Sequence, residues 1–426
     1  MSRSVRRGSG WVLTGNIGYA ACQYGTLAAI ARFGSATDVG RFALGLSVAA
    51  PITILTNLHL RAVLATDARR EHPFGAYLGV RLLGALVALA ATLIVCLAAN
   101  YDSAAMVIIL LIAVAKAIES VADVVYGLLQ QRERFRRIAC SMLLKGLGTL
   151  AVMATILRST GSLAVATLCM GALWGILLVA VDLSAARRLA TLRPERSWNT
   201  LASLFWLALP MGTVMCLSSL NVNVPRYTLE AYAGPAALGY FAAMAYLMVA
   251  VAQPSIAFGV AASPRLAAAF ARNPREFDGL SLRFVGQQLA VGVAALIGVV
   301  VAGPRLLAAA YGPQYAAYPD VLRTLGAATA VSFVSSALGY SITAARRFRE
   351  QLRVAIVTLS VCVIASYLLV PSFGLLGAAW ATLVAETARL CCLAWLYRML
   401  RREPSQTASG MEGVVPEAAE GVAAVG

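Results

Sequence analysis

Apolar stretches recur along the whole chain, each about as long as the roughly 20 residues a helix needs to span hydrocarbon. Short polar breaks separate them. The pattern predicts spans at 9–32, 38–62, 76–98, 104–130, 136–157, 161–184, 201–223, 236–261, 282–302, 321–345, 350–370 and 374–399. The first stretch is too long for a signal-peptide core and lacks a small-residue cleavage pattern, so it reads as an uncleaved first span. The longest break on one side, about 303–319, is rich in Tyr, Pro and Gly and reads as a loop.

Composition agrees. Of 426 residues, 60% are hydrophobic and only 13% charged, with a mean hydropathy of +0.77. A soluble domain is about a quarter charged. The net charge of +16 is a topology signal and not a nucleic-acid footprint. Of the 35 Lys and Arg, 26 fall at the N-terminus, the C-terminus and every second break. One such group is Arg61, Arg69, Arg70 and Arg81 after the second span; another is Arg132, Arg134, Arg136 and Arg137 after the fourth. Six lie on the opposite side: Arg32, Arg41, Arg158, Arg226, Arg305 and Arg323. The positive-inside rule then places both termini in the cytoplasm.

The two halves echo each other. Gly34 through Asp38, Gly40, Phe42 and Ala43, followed by Pro51, is matched by Gly234, Pro235, Gly239, Phe241 and Ala242, followed by Pro254. Each piece joins the first two spans of its half. Six spans per half is an even number, so the halves share orientation, as in parallel-repeat transporters. The expected organisation is a cytoplasmic N-terminus (1–8), a six-helix bundle (9–184), a linker (185–200), a second six-helix bundle (201–399) and a disordered cytoplasmic tail (400–426). A further inner linker is expected near 263–281.

Ionisable residues inside spans are costly and need a reason. Lys116, Glu119, Asp123 and Tyr126 lie at spacings that share one helix face, as do Asn16, Tyr19, Gln23 and Thr26. Lys145 lies in the fifth span, Glu386 and Arg389 in the twelfth, and Asn221, Asn223 and Arg226 at the end of the seventh. One reading is structural: Lys116–Glu119, Asp123–Lys145 and Glu386–Arg389 neutralise each other, and the Asn16/Gln23 face makes helix–helix hydrogen bonds. The other is a hydrated cavity lined by the first, fourth, fifth and seventh spans. There Asn16, Gln23, Lys116, Lys145, Asn221 and Arg226 would bind an anionic substrate, and Glu119, Asp123 or Glu386 would carry a coupling H⁺ or Na⁺. The two are compatible, since such pairs can exchange during a cycle.

Other chemistry is not signalled. The eight cysteines lie in apolar stretches without metal-ligand spacing, and His59 and His72 suggest no metal. Gly171 and Gly175 form a Gly-x-x-x-Gly pair that permits close helix contact. There is no phosphate-binding glycine loop and no nucleophile elbow, so neither cofactor nor catalysis is expected. Energy would come from a gradient, the membrane potential or a partner.

Several stretches carry a family resemblance. They are Gly15–Tyr24, Ala31–Gly34, Val39–Gly45, Leu60–Ala68, Glu119–Gln130 with Arg132 and Arg134, and Asn221–Tyr227. The chain resembles Wzx-like flippases of the multidrug/oligosaccharidyl-lipid/polysaccharide (MOP) exporter superfamily. This resemblance implies an all-α polytopic protein of the bacterial inner membrane, with about 12 transmembrane helices in two six-helix bundles that work by alternating access. It implies a substrate, an oligosaccharide on polyprenyl diphosphate, moved outward for O-antigen, capsule or exopolysaccharide synthesis. Membrane lipid, a polysaccharide polymerase and chain-length machinery would be its partners, and nucleic acid would not. Lys116 beside the acids departs from a simple ion-coupling pattern. A cation-coupled drug antiporter of the same superfamily is the alternative, and intramembrane cations favour the flippase. A membrane glycan polymerase fits less well, because no sizeable extramembrane loop is present; a major-facilitator fold lacks its loop motif; a structural scaffold is the remaining option.

Overall fold

A computed structural model describes residues 3–67 and 71–402 of the chain. Every regular element among the described residues is helical: α1 (Arg3–Phe33), α2 (Ala36–Asn57), α3 (Leu60–Thr66), α4 (Phe74–Ala98), α5 (Ser103–Gln131), α6 (Phe135–Thr160), α7 (Leu163–Leu177), α8 (Ser184–Arg187), α9 (Trp198–Val251), α10 (Gln253–Arg272), α11 (Pro274–Tyr311), α12 (Pro319–Ala344) and α13 (Phe348–Arg402). A π-helical turn, Leu178–Leu183, joins α7 to α8. Nine helices among the described residues are long and apolar enough to cross a membrane. Two of these, 198–272 and 349–401, are far longer than one crossing needs. Gly234 (φ 79°) and Gly374 (φ 54°) interrupt them with backbone angles that a side chain disfavours, and each marks a break between two helices.

Local sequence explains several helix starts. Ser35 and Asp38 form a capping box at α2, and Asp102 accepts from the Ala105 amide at α5. Arg41 of α2 pairs with Asp102 at 2.9 Å, tying the two starts together. Large apolar side chains such as Leu86, Ile94, Ile176, Val301 and Leu368 are well exposed around the outside. In water such a surface would aggregate; here lipid covers it. The chain is a multi-pass membrane protein.

Where the packing lies decides the shape. One buried cluster joins both halves at the end remote from the Arg-rich connections, bringing Leu27, Ile30 and Phe42 against Met244, Tyr311 and Val321. At the basic end there are two separate clusters instead. One holds Leu60, Tyr77, Val125 and Ile138 with Leu201 of α9; the other holds Leu266, Phe277, Ile342 and Tyr397 of the second half. The halves are therefore zipped at the far end and apart at the basic end.

The zipped end uses the repeat itself. Gly40 and Gly239, matching positions of the two halves, face each other across α2 and α9. A Cβ on Gly40 would run into the Pro235 carbonyl, and one on Gly239 into the Ala36 carbonyl. Arg32 donates to the carbonyls of Ala309 and Ala310 in the last turn of α11, where the helix dipole favours a cation. Tyr24 packs edge-on against Tyr311 (5.3 Å), and Tyr240 against Tyr315 (5.0 Å).

The structure revises several sequence boundaries. The expected loop at 303–319 is mostly helix: α11 runs to Tyr311, a 3₁₀ turn follows, and both Tyr311 and Tyr315 are buried. The expected linker at 263–281 is α10 and α11 with only Asn273 between them. The seventh stretch does not end at 223 but continues as helix through Pro225 and Arg226 to Gly234. Arg81, counted with the basic connection although it falls within the expected span 76–98, lies inside α4 and is fully buried. A Cβ placed on Gly171 or Gly175 would lie 3.8 Å from Ala115 or Ile118 of α5, ordinary contact, so neither glycine marks an unusually close approach. The expected tail from 403 onward, the first residues of the N-terminus and Arg69–Arg70 fall outside the described residues.

Candidate functional site

The gap between the halves holds a cavity of about 620 Å³. Gln23, Asn57, Lys116, Asp123, Asn223 and Arg226 supply its polar lining, with Ser218, Ser219, His59 and Tyr246. A second chamber of about 320 Å³ adjoins it and shares Ala50, Ile54, Asn57, Lys116 and Asp123. It adds Tyr19, Arg61, Glu119, Tyr126 and Lys145. Together the walls carry four cations, Arg61, Lys116, Lys145 and Arg226, against two carboxylates.

Glu119 organises one charge cluster. Lys116, one turn before it on α5, approaches to 2.8 Å, and Lys145 of α6 to 3.6 Å. The Tyr19 hydroxyl donates to Glu119 Oε1 at 3.0 Å. Lys145 is almost fully buried, and its ammonium also lies over the rings of Trp174 (5.2 Å) and Tyr126 (5.6 Å). Aromatic faces stabilise a cation where water is scarce. Trp174 is held in turn by donating to Thr149 Oγ1 at 2.8 Å.

Asp123 organises the other cluster, and not in the expected way. Lys145 pairs with Glu119, while Asp123 is shared by Arg61 (3.3 Å) and Arg81 (3.4 Å). The physical reason lies in helix position: α3 and α4 bring two guanidinium groups against the basic half of α5, so the acid is saturated there. Arg81 is wholly enclosed, and its Nε and Nη1 have no hydrogen-bond partner. Its one link to Asp123 is therefore what compensates a buried charge.

Arg226 is different. No carboxylate among the described residues lies within ion-pair distance of it. Its Nη1 donates to Asn223 Oδ1 (3.2 Å) and to Ser47 Oγ (3.5 Å), and its Nε is buried without a partner. Tyr227 braces the same point by donating to the Ser47 carbonyl. A guanidinium held by neutral groups on a cavity wall keeps its capacity for an incoming anion.

Of the nine residues singled out from sequence, six come together here: Gln23, Lys116, Lys145, Arg226, Glu119 and Asp123. Three do not. Asn16 is exposed, one turn before Tyr19, and lines neither chamber. Asn221 lines neither chamber; its backbone carbonyl accepts from Cys362 Sγ of α13 at 3.3 Å and its side-chain Oδ1 is buried without a partner, while Asn223 Oδ1 accepts from Arg226. Glu386 pairs with Arg389 at 3.5 Å within α13, away from both chambers. Besides the four expected spans, α2 and the second half of α9 also line the walls, through Asn57 and Tyr246. Asp182, buried near the basic end, was not anticipated, although it lies within a predicted span and a lone intramembrane acid is itself a signal.

Solved structures share this architecture. The lipid II flippase MurJ in an inward closed conformation superposes with a TM-score of 0.73 at 10% identity, over 91% of this chain and 87% of MurJ. An inward-facing multidrug resistance MATE family transporter of the MOP superfamily gives 0.65 at 15% identity, over 94% and 95%. The fold is thus the one these two membrane transporters share. The family described as polysaccharide biosynthesis protein matches residues 5–270, well over half of the chain, and the chain belongs to that family. A curated relative, the capsular polysaccharide biosynthesis protein CapF of Staphylococcus aureus, is 24% identical over 393 residues, covering 92% of this chain and 98% of CapF.

Proposed function

We propose that this chain is a flippase that carries an oligosaccharide on polyprenyl diphosphate from the cytoplasmic to the outer leaflet of the bacterial inner membrane. The product would feed O-antigen, capsule or exopolysaccharide synthesis. Twelve spans in two six-helix bundles, 9–184 and 201–399, rock against each other so that the basic end and the zipped end open in turn, with both termini and the basic connections in the cytoplasm. The open basic end then receives substrate from the side where it is made.

The observation that carries this reading is the cation excess of the cavity, with Arg226 free of any acid. A diphosphate–sugar head cannot cross about 30 Å of hydrocarbon unaided. Cations for the phosphates, and Gln, Asn, Ser and Tyr for sugar hydroxyls, replace its water. Moving two phosphate charges outward gains about 2.3 kcal/mol each per 100 mV of inside-negative potential. A cavity of this sign suits a cationic drug poorly, so the drug-antiporter alternative is less favoured. The cavity walls offer no group arranged for catalysis, and a transporter rather than an enzyme is the reading they support.

Deleting the gene and measuring polyprenyl-diphosphate oligosaccharides by mass spectrometry tests the proposal. Accumulation of one lipid-linked glycan with loss of a surface polymer is the expected result. Intact polymer, no accumulation and new sensitivity to cationic drugs would overturn it.

A further inference from the structure

Asp182 stands outside the charge clusters of the cavity. It lies in the π-helical turn Leu178–Leu183, a local widening of the helix that is frequent at functional positions. Its side chain is 1% exposed. Oδ1 accepts from Ser141 Oγ at 2.7 Å; Oδ2 is buried with no hydrogen-bond partner. No Lys, Arg or His among the described residues comes within ion-pair distance of it. A carboxylate so placed is poorly compensated, whereas the neutral acid is not penalised for charge.

Two routes lead to it. On one side Ser141 Oγ lies 2.8 Å from the Tyr126 hydroxyl, and Tyr126 lines the central chamber. On the other, a separate cavity of about 310 Å³ at the basic end is lined by Asp182 together with Arg137, Cys140 and Arg188. The groups facing Asp182 are therefore Tyr126 of α5, Arg137, Cys140, Ser141 and Lys145 of α6, and Arg188 beyond α8.

We propose that Asp182 is a proton-binding site, wired to the central chamber through Ser141 and Tyr126. Along this chain each hydroxyl accepts one proton and passes its own onward, so a proton taken at Tyr126 appears on the Asp182 carboxyl with no other change. Lys145 lies one turn from Ser141 on α6 and pairs with Glu119 on the chamber wall. A neutral Asp182 leaves Lys145 to Glu119. An ionised Asp182 competes for it and alters the charge that the chamber presents. Coupling of this site to transport rests on the flippase reading; proton binding does not.

Infrared difference spectra of the full chain in nanodiscs, acidic against alkaline, test the site without any glycan. A carbonyl band of a protonated carboxyl should disappear on alkalinisation, and Asp182→Asn should remove it. Ser141→Ala should shift the band, because it loses the hydroxyl donor, while the titration persists. An unchanged band in Asp182→Asn, or no titrating band in the parent protein, overturns the proposal. Should Asp182→Asn fail to fold, Ser141→Ala decides, and a band that does not move overturns the assignment. If the flippase reading alone is wrong, the band behaves as expected while deletion causes no glycan accumulation.

Discussion

The zipped end makes a prediction that follows from two hydrogen atoms. Gly40 and Gly239 let α2 and α9 approach until each α-carbon lies against the other helix's backbone, with Pro235 and Ala36 as the opposing carbonyls. Replacing either glycine by alanine puts a methyl group where a carbonyl oxygen already stands. A backbone carbonyl within a helix cannot swing aside as a side chain can. The helices must part. Overpacking of this kind costs about 1–3 kcal/mol. Alanine also raises helix propensity by about 1 kcal/mol over glycine. That gain is equal in every conformation and drops out of the balance between them. The overpacking cost falls only on the state in which this end is closed. The equilibrium should therefore move toward opening at this end by about 5- to 150-fold.

Spin labels at Thr37 and Ala236, in a background lacking the native cysteines, would report the separation by pulsed electron resonance. The expected result is growth of a longer-distance population in Gly40→Ala and in Gly239→Ala. The double variant should gain less than the sum, because one separation of the helices relieves both collisions. A distance distribution identical to that of the parent in both single variants would refute the reasoning.

Two further predictions concern the cavity. Arg226→Ala should abolish export of the surface polymer, and Arg226→Lys should restore only part of it, since lysine keeps the charge but not the planar fork; full export by Arg226→Ala at equal protein level would remove Arg226 from the binding site. Asp123→Asn strips Arg81 of its compensating charge, so thermal stability in detergent should fall by an amount at or below the lower end of the about 3–5 kcal/mol typical of broken buried pairs, given that Asp123 is partly exposed. Arg81→Met combined with Asp123→Asn should recover most of that loss, and a double variant no more stable than Asp123→Asn would show that the pair is not what holds this region.

Much of the architecture was legible because the bilayer leaves so few choices. Runs such as 76–98 and 104–130 have only one stable form in hydrocarbon, and helices α4 and α5 cover them. Proline and glycine misled where packing overrode composition. The stretch 303–319 reads as a loop, yet Tyr311 and Tyr315 are drawn inward by aromatic contacts with α1 and α9, and the chain follows them. Charges were legible as a set but not as pairs. Spacing along one helix found Lys116–Glu119 and Glu386–Arg389, which are i,i+3 neighbours. It assigned Lys145 to Asp123, whereas the partner is Glu119, since that choice depends on the offset between α5 and α6 along the bilayer normal. Arg81 was counted with the basic connection that precedes it although it falls within the span 76–98; only the packing of α4 against α5 shows it facing Asp123. Asn221 and Asn223 differ by two residues, about 200° around a helix, so only one of them, Asn223, lines the cavity, and sequence alone does not say which.

The pairing explains how a site can be basic without being a trap. Glu119 is shared by Lys116 and Lys145, and Asp123 by Arg61 and Arg81, so each acid already engages two cations. A diphosphate entering the chamber would compete with these acids for groups that are partly satisfied, and the gain on binding is reduced by the pairs it loosens. On its departure the acids would reclaim their cations, which would lower the cost of release into the opposite leaflet. A ligand that binds both conformations equally shifts nothing, however tightly it is held. Pairs that differ between states therefore serve the proposed cycle better than bare positive charge. Arg226, with neutral partners only, supplies the anchor that such exchange alone would lack. It lies toward the zipped end, eight residues before Gly234, where in the proposed cycle the helices would part for the head group to leave.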